Sequence, residues 1–422
     1  MNQLNKHNTS LRDLLELDEN LLDTNTLSKM VNLDSIDLVL RECLSIDEMR
    51  EAGSFFTGEE LANSAVNSLK APITFSSVVL DPTCGAGNLL IECSRLLGVE
   101  TTLSETLEKW GSVLWGFDLH ESFIEATKLR ILIAALCRGV VKDCSIDDAL
   151  ELLPNIKTKD ALIVTSKELQ TVTHAIMNPP FTHWPSPKEN YWKEGKVNAA
   201  GVIVDKYLRD LPIGCCISAI LPDVLRSGSR YGEFRKFAST NLQAQCNIWG
   251  KFNTKTDVDV FLLAGSKVVG NYEPIVWFED LGEYARLSEQ FDVCIGPLVA
   301  YRDPEEGPIY PYFHPRNAPA WKTVSTVIET RRFTGKALQP PFVVVKRTSS
   351  PSDKYRASAT LINLKECVVI ENHMIVISPK SGTVRDCKRL LKILKGSRTN
   401  DFLNDRARMR HLTVGVIKDI PL

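Results

Sequence analysis

The sequence predicts an α/β chain whose larger part is a sheet of mostly parallel strands, and three stretches carry that prediction. Ser77-Val78-Val79-Leu80 runs into Asp81-Pro82-Thr83-Cys84-Gly85-Ala86-Gly87, and a helical pattern follows over 88–97. Val113-Leu114-Trp115-Gly116-Phe117 ends in Asp118 ahead of a helix over 121–135. Ala175-Ile176-Met177 ends in Asn178-Pro179-Pro180-Phe181. Short apolar runs alternating with helical periodicity indicate βαβ units, whose strand tips face a ligand.

In chain order, residues 1–50 read as helical. Leu11, Leu14, Leu15, Leu21 and Leu22 recur at three- and four-residue intervals, 36–44 continues the pattern, and Ser10 and Asp34 are candidate N-caps. Gly53-Ser54-Phe55-Phe56-Thr57-Gly58 breaks the pattern and leads into a helix over 59–69. Two readings fit this segment: a lid whose Thr hydroxyl and N–H groups meet a carboxylate, or a loop anchored by two phenylalanines.

The loop over 81–87 is of the βα nucleotide type. Gly85 and Gly87 allow a sharp turn and a close approach of backbone to ligand, and Asp81 is placed to accept from an ammonium or hydroxyl group. It is neither the dinucleotide fingerprint nor a P-loop, since no Gly-Lys-Ser/Thr follows. Asp118 stands at the second tip, where an acidic residue holds ribose hydroxyls in α/β nucleotide folds. The run over 156–162 offers a third acidic tip, Asp160.

After Asn178, two prolines fix φ and remove two N–H donors, so nearby carbonyls stay out of the ladder and accept from a ligand. The Asn178 oxygen and the Pro179 carbonyl together suit the two hydrogens of an exocyclic amine, and Phe181 offers a flat apolar face. An ordinary strand-ending turn has the same composition. The loop over 182–198 then interleaves Trp184 and Trp192 with Lys188, Lys193 and Lys196, a mixture suited to an unstacked base and its phosphates, or equally to a mobile loop that orders only on substrate. A helix over 199–208, a buried strand over 215–222, a helix over 231–237 and strands over 246–249 and 258–263 follow, the last two joined across Lys251-Phe252-Asn253-Thr254.

Past Leu281 the periodicity weakens and prolines multiply, which puts a boundary near 285–300. The chain thus divides into a helical segment over 1–50, a main domain over 51–285 and a smaller domain over 286–422. A net charge of −2 hides an asymmetry: residues 301–422 hold 22 Lys and Arg against 11 Asp and Glu, the first 300 hold 28 against 41. A basic C-terminal third points to a polyanionic partner. Lys346, Arg347, Lys354, Arg356, Arg406, Arg408 and Arg410 are its candidate contacts, flanking a strand over 342–345 and helices over 384–394 and 400–408.

Asp81-Pro82-x-Cys84-Gly85-x-Gly87, Asp118, Asp160 and Asn178-Pro179-Pro180-Phe181, in that order, resemble the motifs of S-adenosylmethionine-dependent N6-adenine DNA methyltransferases. With Phe55-Phe56-Thr57 first and the basic region last, the order is similar to the gamma subclass, of restriction-modification type. The resemblance implies an α/β, Rossmann-like methyltransferase sheet with an antiparallel terminal hairpin, followed by a smaller α+β DNA-recognition domain. It assigns Phe55 and Thr57 to the methionine end of S-adenosyl-L-methionine, and Asp81, Thr83, Gly85 and Gly87 to the amino-acid portion and its loop. Asp118 is then the ribose contact and Asp160 the contact to the cofactor's adenine. Asn178, Pro179, Pro180 and Phe181 form the catalytic motif, with Phe181 and Phe252 lining the target-base pocket. Gly58 stands where the family has Pro, and Thr83 and Ala86 replace its usual Ala and Ser. Those are small residues, compatible with a working site.

Double-stranded DNA is the partner this implies, with room for a separately encoded restriction or specificity subunit. No apolar run approaches the roughly 20 residues of a membrane span. The polar N-terminus does not read as a signal peptide, and eleven cysteines without paired spacing fit free thiols, so the expected location is the cytoplasm. Without Cys/His clusters at zinc spacing, no metal is expected. Two other readings stay open: a methyltransferase acting on RNA or on a protein glutamine, and a non-catalytic DNA-binding subunit of a defence complex.

Overall fold

The computed structural model describes residues 2–16, 24–34, 57–188, 191–253, 258–270 and 272–422. Phe55 and the 36–44 pattern lie outside the described residues. The chain forms two compact units, one of residues 1–226 and 230–277, the other of 227–229 and 278–422.

In the first unit, α1 (Asn2–Leu15), α2 (Thr24–Val31) and α3 (Glu59–Asn67) precede β1 (Val79–Asp81). Then come α4 (Asn88–Ser94), α5 (Leu103–Val113), β2 (Leu114–Asp118), α6 (Glu121–Leu136), α7 (Ile146–Glu151), β3 (Ile156–Thr158) and β4 (His174–Met177). The small ribbon of β5 (His183–Pro185) and β6 (Lys196–Asn198) leads to α8 (Ala199–Asp210) and β7 (Cys216–Pro222). The helix α9 (Gly232–Asn241), β8 (Leu242–Lys251) and β9 (Asp259–Lys267) complete the unit.

Seven of these strands form one sheet in the order β3-β2-β1-β4-β7-β9-β8. β1, β2, β3, β4 and β7 pair in parallel, while β9 runs antiparallel to β7 and to β8. This is the expected Rossmann-like sheet with its antiparallel end. The chain winds outward from β1 to β3 and then crosses back to place β4 on the other side of β1, creating a switch point between them. Both faces are covered, as a parallel sheet requires. One carries a core including Leu90, Trp110, Leu129 and Leu132, the other a core including Ile203, Tyr207, Phe234 and Phe261.

The N-terminal helices belong to the first of these cores through Leu11, Leu15, Leu27 and Leu33. Arg12 ties α1 down by pairing with Glu125 at 2.7 Å and Asp147 at 2.8 Å. Ser10 is not an N-cap: it sits inside α1 and its hydroxyl donates to the Lys6 carbonyl at 3.0 Å, a bond only a formed helical turn offers. Asp34 does cap a helix, though a distant one. Its Oδ1 accepts from the Glu59 N–H at 3.2 Å, and a β-carbon on Gly58 would meet that oxygen at 2.7 Å.

The second unit is α+β. A five-stranded sheet in the order β10-β17-β14-β15-β12 joins Phe291–Ile295, Met374–Pro379, Phe342–Lys346, Ala359–Ile362 and Thr323–Val324. A three-stranded sheet, β13-β11-β16, joins Thr330–Arg332, Ile309–Phe313 and Val369–Ile370. The helices α10 (Val384–Lys395), α11 (Ser397–Arg406) and α12 (Val414–Lys418) close the core with Leu390, Leu394, Phe402, Leu403 and Ile417.

Candidate active site

Register, more than any single contact, assembles the site. β1 pairs with β2 so that Asp81 lies opposite Gly116, β2 with β3 so that Asp118 lies opposite Thr158, and β4 ends at Met177 opposite Ala219 of β7. Parallel neighbours about 4.8 Å apart therefore present Asp160, Asp118, Asp81 and Asn178 in a row along one edge. These four line a cavity of about 290 Å³ together with Thr57, Thr83, Gly85 and Pro180. Gly87, Pro179, Phe181 and Phe252 lie outside its wall.

The glycine loop is bound to the sheet by its own main chain. The Cys84 N–H donates to the Phe117 carbonyl at 2.9 Å, and the Gly85 N–H donates to Asp118 Oδ2 at 3.2 Å. Gly85 and Gly87 hold φ of 54° and 83°, the left-handed region that glycine enters without strain. Asp81 accepts from the Thr83 N–H at 3.0 Å, and Asp118 Oδ1 from the His120 N–H at 2.9 Å.

Both carboxyls titrate above their ordinary range. Burial, and then the charge of Asp118, pushes Asp81 up to about 8 against the pull of the Thr83 N–H. Burial raises Asp118, opposed by the backbone N–H groups it accepts. The Thr83 hydroxyl is buried with no partner. Three acidic side chains and an unpaired hydroxyl around one cavity suit a ligand that is cationic and rich in hydroxyl groups.

At the end of β4, Asn178 Nδ2 donates to Thr57 Oγ1 at 3.0 Å, and Thr57 is itself buried. The far end of the motif is held by Asn198, whose Nδ2 donates to the Phe181 carbonyl at 3.1 Å while its Oδ1 caps α8 at the Ala200 N–H. Phe181 meets Phe252 edge to face at 5.6 Å between ring centres. The pair thus shares one apolar corner, with Phe252 only 5% exposed.

Sequence reasoning missed Asn88, His120 and Lys159, which also line the cavity. Each adjoins a residue that was singled out or nearly so: Asn88 follows Gly87, His120 follows Asp118 by two, and Lys159 precedes Asp160. Among the described residues no group of three or more His, Cys, Asp and Glu could hold a metal ion, and no helix is long and apolar enough to cross a membrane.

The basic candidates of the second unit divide. Arg356, expected among the surface contacts, is instead fully buried, donating to Ser349 Oγ at 2.7 Å, Asn404 Oδ1 at 2.6 Å and the Ala407 carbonyl at 2.7 Å. Arg406 lies over Phe278 at 4.6 Å, pairs with Asp405 and donates to the Glu279 carbonyl. Arg408 is half-buried, and Lys354 is exposed above Tyr355. Lys346 and Arg347 are half-buried at the end of β14, where Thr348 bridges to His411 and the Ser349 N–H donates to the Arg410 carbonyl. Burial, and then the charges of Arg347, Arg410 and His373, lower the His411 pKa, as expected where cations crowd together.

The sheet order and the row of strand-tip groups define an α/β domain of the methyltransferase type. Residues 39–211 match the family model described as N-6 DNA Methylase. Among solved structures, the chain is similar to the Type IIL restriction-modification enzyme MmeI in complex with DNA, with a TM-score of 0.52 and 9% identity over 93% of this chain and 70% of that one. The type IIG restriction endonuclease BpuSI gives 0.45 and 12%, covering 96% of this chain. The Type I restriction enzyme EcoKI M protein gives 0.37 and 16%, covering 63% of this chain. At these identities the likeness is one of fold. The chain spans 63% of the BpuSI chain and 55% of the EcoKI M chain. No curated protein matches the sequence.

Proposed function

We propose that the protein transfers a methyl group from S-adenosyl-L-methionine to N6 of an adenine flipped out of double-stranded DNA, as the modifying enzyme of a restriction-modification or phage-defence system. One observation carries this reading: the Asn178 amide, anchored on Thr57, opens on the same cavity as Asp81, Asp118 and Asp160. The acidic tips suit the ammonium, ribose and adenine groups of that cofactor, and the unpaired Thr83 hydroxyl adds a further polar contact.

When bound, the cofactor supplies a methyl group already activated by its sulfonium. What remains for the protein is to position and desolvate the acceptor. Adenine N6 is a poor nucleophile because its lone pair is delocalised into the ring. With Asn178 Nδ2 committed to Thr57, the amide oxygen is the atom that accepts from N6, and the Pro179 carbonyl takes the second hydrogen. Two such bonds favour a pyramidal nitrogen and disperse the positive charge that grows on it during transfer. Pro180 holds the backbone rigid. Phe181, braced by Phe252, offsets part of the few kcal/mol lost on unstacking the base. In the second unit Lys346, Arg347, Lys354, Arg408 and Arg410 contact phosphates, in a basic target-recognition region over about 286–422.

The test is a radiolabelled methyl-transfer assay on duplex DNA, RNA and protein side by side, followed by identification of the methylated base. Label appearing as N6-methyladenine in DNA alone supports the proposal; label in RNA or protein alone refutes it.

A further inference from the structure

Arg130, in the middle of α6, is fully buried, yet among the described residues no carboxylate pairs with it. Its Nη1 donates to the Ala86 carbonyl and, at 2.7 Å, to Asn88 Oδ1, while Nε and Nη2 find no partner. Burial, and then Arg95, lower its pKa to about 9, which leaves it cationic at neutral pH. A buried cation without a counter-charge is costly to the fold, and a leucine would fill an apolar helix interior at no such cost. Packing does not account for it.

The contacts beyond Arg130 do. A guanidinium can only donate, so the Asn88 atom facing it must be the oxygen, which settles an amide orientation that geometry alone leaves open. The Asn88 nitrogen then points the other way, to the Thr57 carbonyl at 2.7 Å and the Leu33 carbonyl at 3.0 Å. Thr57 in turn receives the Asn178 amide on its hydroxyl. Hydrogen bonds thus link a cation beneath the glycine loop to the amide at the end of β4, and they meet at Thr57, which accepts from Asn88 on its carbonyl and from Asn178 on its hydroxyl.

We propose that Arg130, acting through Asn88, is a positioning residue that sets the Thr57 main chain, and with it the Thr57–Asn178 contact, for cofactor binding and transfer. The proposal rests on the function given above. It makes the glycine loop and the Thr57 segment one mechanical piece, although 31 residues separate Thr57 from Asn88.

The test is a double-mutant cycle of Arg130→Met with Thr57→Val, read first as calorimetric affinity for S-adenosylhomocysteine and second as single-turnover methyl transfer. Each single variant is expected to lose about tenfold in affinity, and the double variant no more than either, because Arg130→Met displaces the cavity-lining Thr57 hydroxyl that Thr57→Val removes. Arg130→Lys, which keeps a donor towards Asn88, is expected to stay within about threefold of the parent. Losses that multiply in the double variant overturn the proposal, as does an Arg130→Met protein with unchanged affinity. If Arg130→Met does not fold, Asn88→Ala takes its place in the cycle. A parent protein that binds the cofactor product but methylates no DNA defeats the function and leaves the affinity cycle to decide the positioning role.

Discussion

The Thr127 side chain occupies the space that a β-carbon on Gly87 would need: its Cγ2 would lie 2.6 Å away and its Oγ1 3.0 Å away. Thr127 cannot simply turn aside, because Oγ1 donates to the Gly85 carbonyl at 2.8 Å and so fixes the loop that Gly87 closes. Gly87 also holds φ at 83°. Gly87→Ala should therefore destabilise the first unit by about 2–4 kcal/mol, from left-handed strain plus overpacking. Urea unfolding measures the loss. Thr127→Ser on that background removes the nearer clash and should recover part of it.

Asp81 gives a pH dependence with a defined sign. Its carboxyl is pushed up to about 8 in the folded protein against 3.8 for an ordinary aspartate, so ionisation opposes folding. The stability it contributes is full below about pH 4 and is lost as pH rises to about 8. Asp81→Asn lacks this penalty. Its melting temperature should rise above the parent's by a gap that widens from pH 4 to 8 and is then constant, while cofactor affinity collapses. A cationic ligand favours the ionised carboxyl, so binding at pH 7 should release about one proton. Calorimetry in two buffers of different ionisation heat counts it; a gap that does not change with pH would refute the assignment.

The groups legible in sequence are those whose work is done at a strand tip. Asp81, Asp118 and Asn178 each end an apolar run, and a parallel sheet brings such ends to one edge whatever the intervening length. Arg130 and Arg356 were not legible for the converse reason. Each looks like an ordinary cation, one within a helix and the other after a lysine and a tyrosine, and apart from Ser349 their acceptors lie 42 to 51 residues away. The second unit was hard to read because strands of two to six residues pair across long gaps, as Phe291–Ile295 does with Met374–Pro379. Among its strands only the continuous Val343–Val345 run, buried on both faces, announced itself.

Charge alone grouped Arg356 with Arg347 and Arg410, and their environments separate them. Arg356 satisfies the Leu403 and Ala407 carbonyls at the end of α11, so Arg356→Ala should cost about 3–5 kcal/mol and lower the melting temperature of the second unit. Arg347→Ala and Arg410→Ala should leave stability within about 1 kcal/mol. They should instead weaken DNA binding, each reducing the slope of log affinity against log salt by about 0.9 if it meets one phosphate. Fluorescence anisotropy across a salt series reads this directly, and an unchanged slope removes that residue from the interface.

Asn178 offers the sharpest test of the proposed chemistry, because it bonds to a residue of the cavity wall without closing the cavity. Asn178→Ala removes the acceptor for N6 and leaves the acidic tips in place. Methyl transfer should fall by at least 100-fold, on the scale of losing one charge-stabilising contact in a transition state, while cofactor affinity stays within a few-fold. Asn178→Asp keeps an oxygen towards N6 and still pairs with Thr57, whose hydroxyl can reverse its role and donate. It should therefore retain more activity than the alanine variant at equal cofactor affinity. Single-turnover rates with saturating duplex separate the two cases. Equal rates for Asn178→Ala and the parent would show that the amide is only a structural tie to Thr57.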